Sequence, residues 1–252
     1  MTEILITGAT GSIGAALASE YAQAGVHLRL QGRNAEQLRL VADTCRSAGA
    51  RVTESVLDLC DRQALVRWVD GVLEAGTPDL VFANAGMNIN TGPELSGESW
   101  EETEQLLELN VRATFYLAHR LAKSMKQQGR GQLVLLSSLA AWFGLPVTPA
   151  YSASKAAVKA YGEGLRGWLS GSGVTVTVVM PGYVSSAMCD AMPGPKPFLW
   201  RPERAARYIR SRVARGRARI SFPFPLNWGT WWLAVLPAGL SHRIVRLMGF
   251  GG

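Results

Sequence analysis

Cysteine is scarce in this chain. Cys45, Cys60 and Cys189 are the three present in 252 residues, and they share neither metal-ligand nor redox spacing. That argues against a disulfide framework and points to a reducing compartment, so a cytoplasmic protein is expected. His27, His119 and His242 have no ligand partner at useful spacing, so no metal site is expected. Ile4-Leu5-Ile6 is preceded only by Met1-Thr2-Glu3, without the basic flank of a cleavable leader. Low-complexity tracts, internal repeats and interdomain linkers are all lacking. Residues 220–242 carry no formal charge, but Pro223, Pro225 and Pro237 interrupt them. The unbroken piece from Leu226 to Leu236 is about half of the roughly 20 residues a spanning helix needs.

The net charge of +7 is concentrated in one arginine stripe, Arg201, Arg204, Arg207, Arg210, Arg212, Arg215, Arg217 and Arg219. No nucleic-acid reading module accompanies it, so nucleic acid is not expected as a partner. Trp228, Trp231 and Trp232 follow the stripe in the charge-free segment. Two accounts of residues 223–252 stand side by side: packing, within a homo-oligomer or over a substrate pocket, and peripheral contact with the inner membrane surface.

Short β-rich runs alternate with helical patterns along the chain. Strands are predicted over residues 3–7, 26–31, 52–56, 79–83, 132–136, 174–179 and 218–222. Helices are predicted over 15–24, 35–48, 61–74, 151–169 and 202–215, with one long helix from the Ser99-Trp100-Glu101-Glu102 capping box to residue 128. Ala64, Leu65, Trp68, Val69 and Val72 form one inward face, and Leu106, Asn110, Ala113, Leu117 and Leu121 another. The alternation predicts an α/β fold: a doubly wound, Rossmann-type parallel sheet of about seven strands in a three-layer α/β/α sandwich. One catalytic domain over 1–222 is expected, with 223–252 as an apolar extension.

Thr7-Gly8-Ala9-Thr10-Gly11-Ser12-Ile13-Gly14 joins the first strand to the first helix. Glycines there allow a tight turn and let a pyrophosphate approach the helix amino terminus, whose free N–H groups favour an anion. After the second strand comes Gln31-Gly32-Arg33-Asn34, with no acid before Glu36. An acid would bind a ribose 2′-hydroxyl, whereas the planar fork of Arg33 suits a 2′-phosphate; NADP is therefore expected, with NAD as the alternative. Asp58, beside Leu59 after the third strand, is a candidate acceptor for the adenine amino group.

Tyr151 and Lys155 stand one helical turn apart and face the same way. Ser138, at the tip of the preceding strand, could point at the same space. Together these groups can move a proton onto or off a carbonyl oxygen.

In order and spacing these residues resemble the short-chain dehydrogenase/reductase family. The resemblance runs along almost the whole chain: the glycine turn, Asn84-Ala85-Gly86 after the fourth strand, Asn110, Ser138, Tyr151-x-x-x-Lys155, and Pro181-Gly182 after the sixth strand. It implies that Tyr151 is the general acid/base, that Lys155 and a nicotinamide ring lower its pKa, and that Ser138 binds the substrate oxygen. Asn110 would hold a water linking Lys155 to solvent. Cofactor contacts are implied at Gly8, Thr10, Gly11, Ser12, Ile13 and Gly14, at Arg33, Asp58 and Leu59, and at Asn84, Ala85 and Gly86. Further contacts are implied at Tyr151, Lys155, Pro181, Gly182, Val184 and Ser186.

The sequence departs from the family pattern in places. Ser12 stands where the single-domain subfamily usually has a glycine, and Ala83 replaces the first asparagine of Asn-Asn-Ala-Gly. Ser186 occupies the place of a threonine. The expected reaction is reversible carbonyl reduction or alcohol oxidation by hydride transfer. Alternatives are an epimerase or lyase with transient redox, and a non-enzymatic NADP-binding protein docked at a membrane. Met188, Cys189, Met192, Phe198 and Trp200, among several prolines, read as a lid over an apolar pocket, with Trp142 and Phe143 as a further wall. An apolar or bulky small-molecule substrate is expected.

Overall fold

The computed structural model describes residues 1–92 and 95–250. Seven strands form one parallel sheet: β1 (Thr2–Ile6), β2 (Val26–Gly32), β3 (Arg51–Val56), β4 (Leu80–Ala83), β5 (Gly131–Leu136), β6 (Val174–Pro181) and β7 (Arg219–Phe222). Their spatial order is β3-β2-β1-β4-β5-β6-β7. The order reverses between β1 and β4, and at such a switch point the loops on either side diverge and leave a crevice at the carboxyl ends of the strands.

Side-chain alternation along the strands builds two cores. Ile4, Ile6, Phe82, Val134 and Leu136 point to one face, where α1 (Ser12–Tyr21), α2 (Ala35–Ser47) and α8 (Pro202–Val213) cover them with Leu17, Leu38 and Ile209. Leu5, Val81, Leu133 and Leu135 point to the other. There α3 (Arg62–Glu74), α5 (Thr114–Gln128) and α6 (Pro149–Trp168) supply Leu65, Val69, Leu117, Leu121 and Leu165. Each such fully buried aliphatic or aromatic side chain contributes roughly 1.5–3 kcal/mol of apolar transfer.

Side-chain caps mark several helix starts. Asn34 accepts from the Gln37 N–H, Asp61 from Gln63 and Ala64, and Ser99 from Glu102, opening α4 (Trp100–Leu107). Gly11, before α1, offers no side chain at all.

The helix expected from residue 99 to 128 is not continuous. Between α4 and α5 lies a π-helical turn, Glu108–Ala113. Asn110 faces inward within this turn, where its amide donates to Met87 O and Ser154 Oγ, and its Oδ1 accepts from Met87 N, at 2.8–3.1 Å. Periodicity alone does not register a one-residue insertion into a helix that resumes on the same face.

The chain after β7 forms α9 (Leu226–Val235) and α10 (Ala238–Leu247), neither of them among the expected helices. Asn227 ties α9 to Ser221 O, and Ser241 Oγ donates to Leu233 O at 2.8 Å. Leu233, Val245 and Phe250 pack with Val147, Phe143, Leu145 and Tyr183, so the extension lies against the sheet's carboxyl end. Its last two residues, 251 and 252, lie outside the described residues. Among the described residues no helix is long and apolar enough to cross a membrane, and no group of three or more His, Cys, Asp or Glu could hold a metal ion.

Candidate active site

A cavity of about 580 Å³ opens at the switch point. One end is built from backbone. Gly8 has φ +62°, and a Cβ there would meet Ala85 Cα at 2.8 Å; one at Gly14 would lie 2.2 Å from Gly8 O. Only glycine permits the β1–α1 turn to close this tightly against the loop after β4. Asn84 locks the closure, its amide donating to Thr7 O at 3.0 Å and Gly8 O at 3.1 Å, while Thr7 Oγ1 accepts from the N–H groups of Asn84 and Ala85.

Thr10, Gly11, Ser12 and Ile13 line the cavity, so the uncapped start of α1 faces it. First-turn N–H groups have no partner within the helix. No side chain caps this start, and its free N–H groups face the cavity, which fits a pyrophosphate as its cap. The exposed Arg33 lines the same end, with Leu59, Asn84, Ala85 and Gly86. A guanidinium and uncapped amides, with no acid at the end of β2, fit a phosphorylated dinucleotide.

At the other end Tyr151 and Lys155 project from the amino-terminal half of α6. Lys155, 6% exposed, donates from Nζ to Leu136 O at 2.9 Å. Its own carbonyl accepts from Ser137 Oγ at 2.7 Å, so β5 grips the helix at both ends of this residue. Gly162 sets the depth of α6: a Cβ there would come within 2.5 Å of Val178 and 3.0 Å of Leu135. Ser138 Oγ accepts from Ala140 N at 3.1 Å and faces the Tyr151 phenol.

Burial dominates the electrostatics. It raises the Tyr151 pKa above the usual phenol value, and the Ser138 hydroxyl acts in the opposite sense. Burial also pushes Lys155 down to about 8. The expected lowering by Lys155 together with a nicotinamide ring is not among the influences on Tyr151 in the protein alone, where burial is the largest. Lys155 still holds its proton through most of the neutral range, at the cost of its desolvation, and Tyr151 remains a protonated phenol there.

Of the residues singled out from the sequence, Gly8, Thr10–Ile13, Arg33, Leu59, Asn84–Gly86, Ser138, Tyr151, Lys155, Pro181, Gly182, Val184 and Ser186 all line this one cavity. Three lie behind it. Gly14 is packing for the turn, and Asp58 closes a local turn by accepting from Cys60 N at 2.9 Å. Asn110 approaches Gly86 and Lys155 from the far side: a Cβ at Gly86 would lie 3.1 Å from both Asn110 Oδ1 and Lys155 Nζ. Ser186 caps the short helix α7 (Ala187–Asp190) by accepting from Cys189 N.

Other lining residues carried no signal of their own. Gln31 accepts from Gly8 N and donates to Leu57 O, bracing the glycine turn, and Gln37 sits beside Arg33 on the cavity wall. Gln31 is one of three polar residues in β2, with His27 and Arg29, so its type alone did not single it out.

The wall expected from Trp142 and Phe143 divides. Phe143 lines the cavity, whereas Trp142 lies outside it between Lys159 and Arg219, each 4.7 Å from its ring centre. Leu139, Leu145, Tyr183, Met188 and Met192 join Phe143, and the extension adds Leu226, Thr230, Leu233, Val245, Met248 and Phe250. The segment after β6 is anchored at its far end, where Trp200 stacks on Phe222 with ring centres 4.9 Å apart.

Comparison with known proteins agrees with this fold. A family model described as short chain dehydrogenase matches residues 2–194. An uncharacterised oxidoreductase of Myxococcus xanthus is 36% identical over 243 residues, 96% of this chain and 95% of that protein. Gluconate 5-dehydrogenase of Gluconobacter oxydans is 29% identical, covering 77% of this chain and 75% of its own. A short-chain dehydrogenase from Sphingobium yanoikuyae, solved in complex with NADPH, superposes with a TM-score of 0.83 at 25% identity, over 98% of this chain and 96% of its own. The chain belongs to the short-chain dehydrogenase family of oxidoreductases.

Proposed function

We propose that the protein catalyses reversible, NADP-dependent reduction of the carbonyl group of an apolar or bulky substrate. The observation that carries this reading is the Tyr151 phenol, buried and protonated, at the junction of a polar dinucleotide-shaped end and an apolar end of one cavity. When bound, the nicotinamide supplies the hydride in reduction and accepts it in oxidation. Tyr151 donates its proton to the carbonyl oxygen and accepts one from the alcohol in the reverse direction. Ser138 holds that oxygen beside the phenol and shares its developing charge. Lys155, held by Leu136 O, faces the space between Gly86 and Tyr151 and offers N–H donors to a ribose.

Arg33 and the bare start of α1 hold the phosphates, and the NADPH in the Sphingobium yanoikuyae structure supports that choice of cofactor. The apolar lining from Leu139 to Phe250 excludes water and favours a substrate without charge near its carbonyl. Buried, unpaired Cys45 and Cys189 support a reducing setting, the cytoplasm.

The test follows NADPH absorbance with a panel of aryl, alicyclic and long-chain ketones and aldehydes beside small polar ones. Turnover rising with apolar size is expected. Tight NADPH binding without turnover of any of them would refute the oxidoreductase assignment.

A further inference from the structure

The last acidic residue in the chain is Glu203. The 49 residues beyond it hold nine arginines, Arg204, Arg207, Arg210, Arg212, Arg215, Arg217, Arg219, Arg243 and Arg246, and no lysine. Subtracting nine from the net +7 leaves −2 for residues 1–203, so the whole positive excess belongs to α8, β7 and the two terminal helices. Two of the nine pair with acids, Arg210 with Glu20 and Arg219 with Glu163. Among the described residues the others have no acidic partner.

Three of them sit around an aromatic groove of about 470 Å³, formed by Arg204, Arg207 and Arg212 with Trp200, Tyr208 and Phe224. Arg204 lies 4.0 Å over the Trp200 ring and Arg212 3.4 Å over Tyr208, so both guanidinium groups are oriented by stacking while their charge is unneutralised. Phe224, 74% exposed, lines this groove and leads through Pro225 into α9.

On α9 the inner face is used. Leu226, Thr230 and Leu233 line the substrate end of the cavity. The outer face is apolar and uncovered: Trp228 is 61% exposed, Trp231 and Trp232 are exposed beside each other, and Val235 follows. On α10 the exposed Leu240 and Leu247 stand among Arg243 and Arg246. Met248 is both exposed and part of the cavity lining, so this surface reaches the cavity's rim.

We infer that the outward face of α9 and α10, together with the Arg204–Arg207–Arg212 groove, docks the enzyme on an anionic lipid bilayer. Tryptophan rings favour the headgroup layer, and arginines on the same surface complement its negative charge. A ten-residue helix is about 15 Å long, enough to lie in that layer and too short to cross it. Charge selects the bilayer over a second copy of the chain. Two-fold pairing of this surface would set unpaired arginines against one another, with no acid in the last 49 residues to offset them. Docking there places the rim at Met248 against the bilayer, so an apolar substrate dissolved in lipid reaches the cavity without crossing water.

Co-sedimentation of the full-length protein with phosphatidylcholine vesicles, and with vesicles containing equal phosphatidylglycerol, tests this independently of turnover. Pelleting is expected with the anionic vesicles, weakened by high salt, and little with the neutral ones. Arg204→Gln, Arg207→Gln and Arg212→Gln together should weaken partitioning by roughly a hundredfold, at about fivefold for each lost charge. Trp228→Ser, Trp231→Ser and Trp232→Ser together should release the protein, with the melting temperature confirming the fold. Light scattering in solution reads the competing occupant. The inference is overturned if the wild type stays in the supernatant, if it pellets equally with both vesicle types, or if the tryptophan variant instead changes a larger assembly into a smaller one.

Discussion

Lys155 carries two opposed demands. The helix and β5 hold it where the proposed reading places a dinucleotide ribose, and burial there strips its ammonium of water. Burial lowers its pKa from 10.5 to about 8, which corresponds to about 3 kcal/mol of stability forgone when the group is charged. Below pH 8 folded and unfolded chains both hold the proton, and the cost is present in full. Between 8 and 10.5 the unfolded chain keeps a proton that the folded one has released, so stability rises with pH across that window. Lys155→Met removes the charge and keeps the bulk. It should therefore unfold at a higher temperature than the wild type at neutral pH, with the difference shrinking as pH is raised from 8 to 10.5. Paired thermal melts check this; a difference independent of pH would mean that Lys155 is solvated. Arg33 makes the cofactor prediction. Arg33→Ala should weaken NADPH by roughly 10- to 100-fold, the worth of a charge-assisted pair, and leave NADH nearly unchanged. Equal losses in titrations with the two nucleotides would remove the phosphate role.

The elements explain why these residues meet. α6 can lie deep on the sheet because Gly162 presents no side chain to Val178 and Leu135. Adding a methyl at that contact must lift the helix that carries Tyr151 and Lys155. Gly162→Ala should cost about 1–3 kcal/mol, as overpacking usually does. At the size of this domain that lowers the melting temperature by roughly 2–4 °C per kcal/mol, and kcat should fall more than NADPH affinity. A variant with unchanged melting and kcat would show that α6 has slack. Legibility in the sequence also differed by element. The strands, the glycine turn and α6 were readable because alternation and helical spacing are local consequences of burial. The π-helical turn was not, since Asn110 stays on the inward face of either helix type. α9 and α10 were missed because prolines bound both stretches and α10 mixes Arg243 and Arg246 with apolar residues, while the partners Val147, Phe143 and Tyr183 are far away in sequence.

At the scale of the whole molecule, the parallel sheet gathers residues spread from Gly8 to Phe250 around one cavity. The motif residues were legible because their chemistry demands a residue type at a fixed place. The apolar half was not, because Leu233, Val245 and Phe250 satisfy packing as readily anywhere in a core, and only the fold shows that they line the cavity. The central claim is that a buried, protonated Tyr151 completes carbonyl reduction beside an NADPH held by the polar end. The most direct measurement compares wild type and Tyr151→Phe for NADPH turnover, using the best ketone from the panel, and for NADPH binding by titration. The account predicts that turnover falls by about 10²–10⁴-fold, the usual worth of a general acid, with NADPH affinity unchanged. Turnover that survives the loss of the phenol would contradict it.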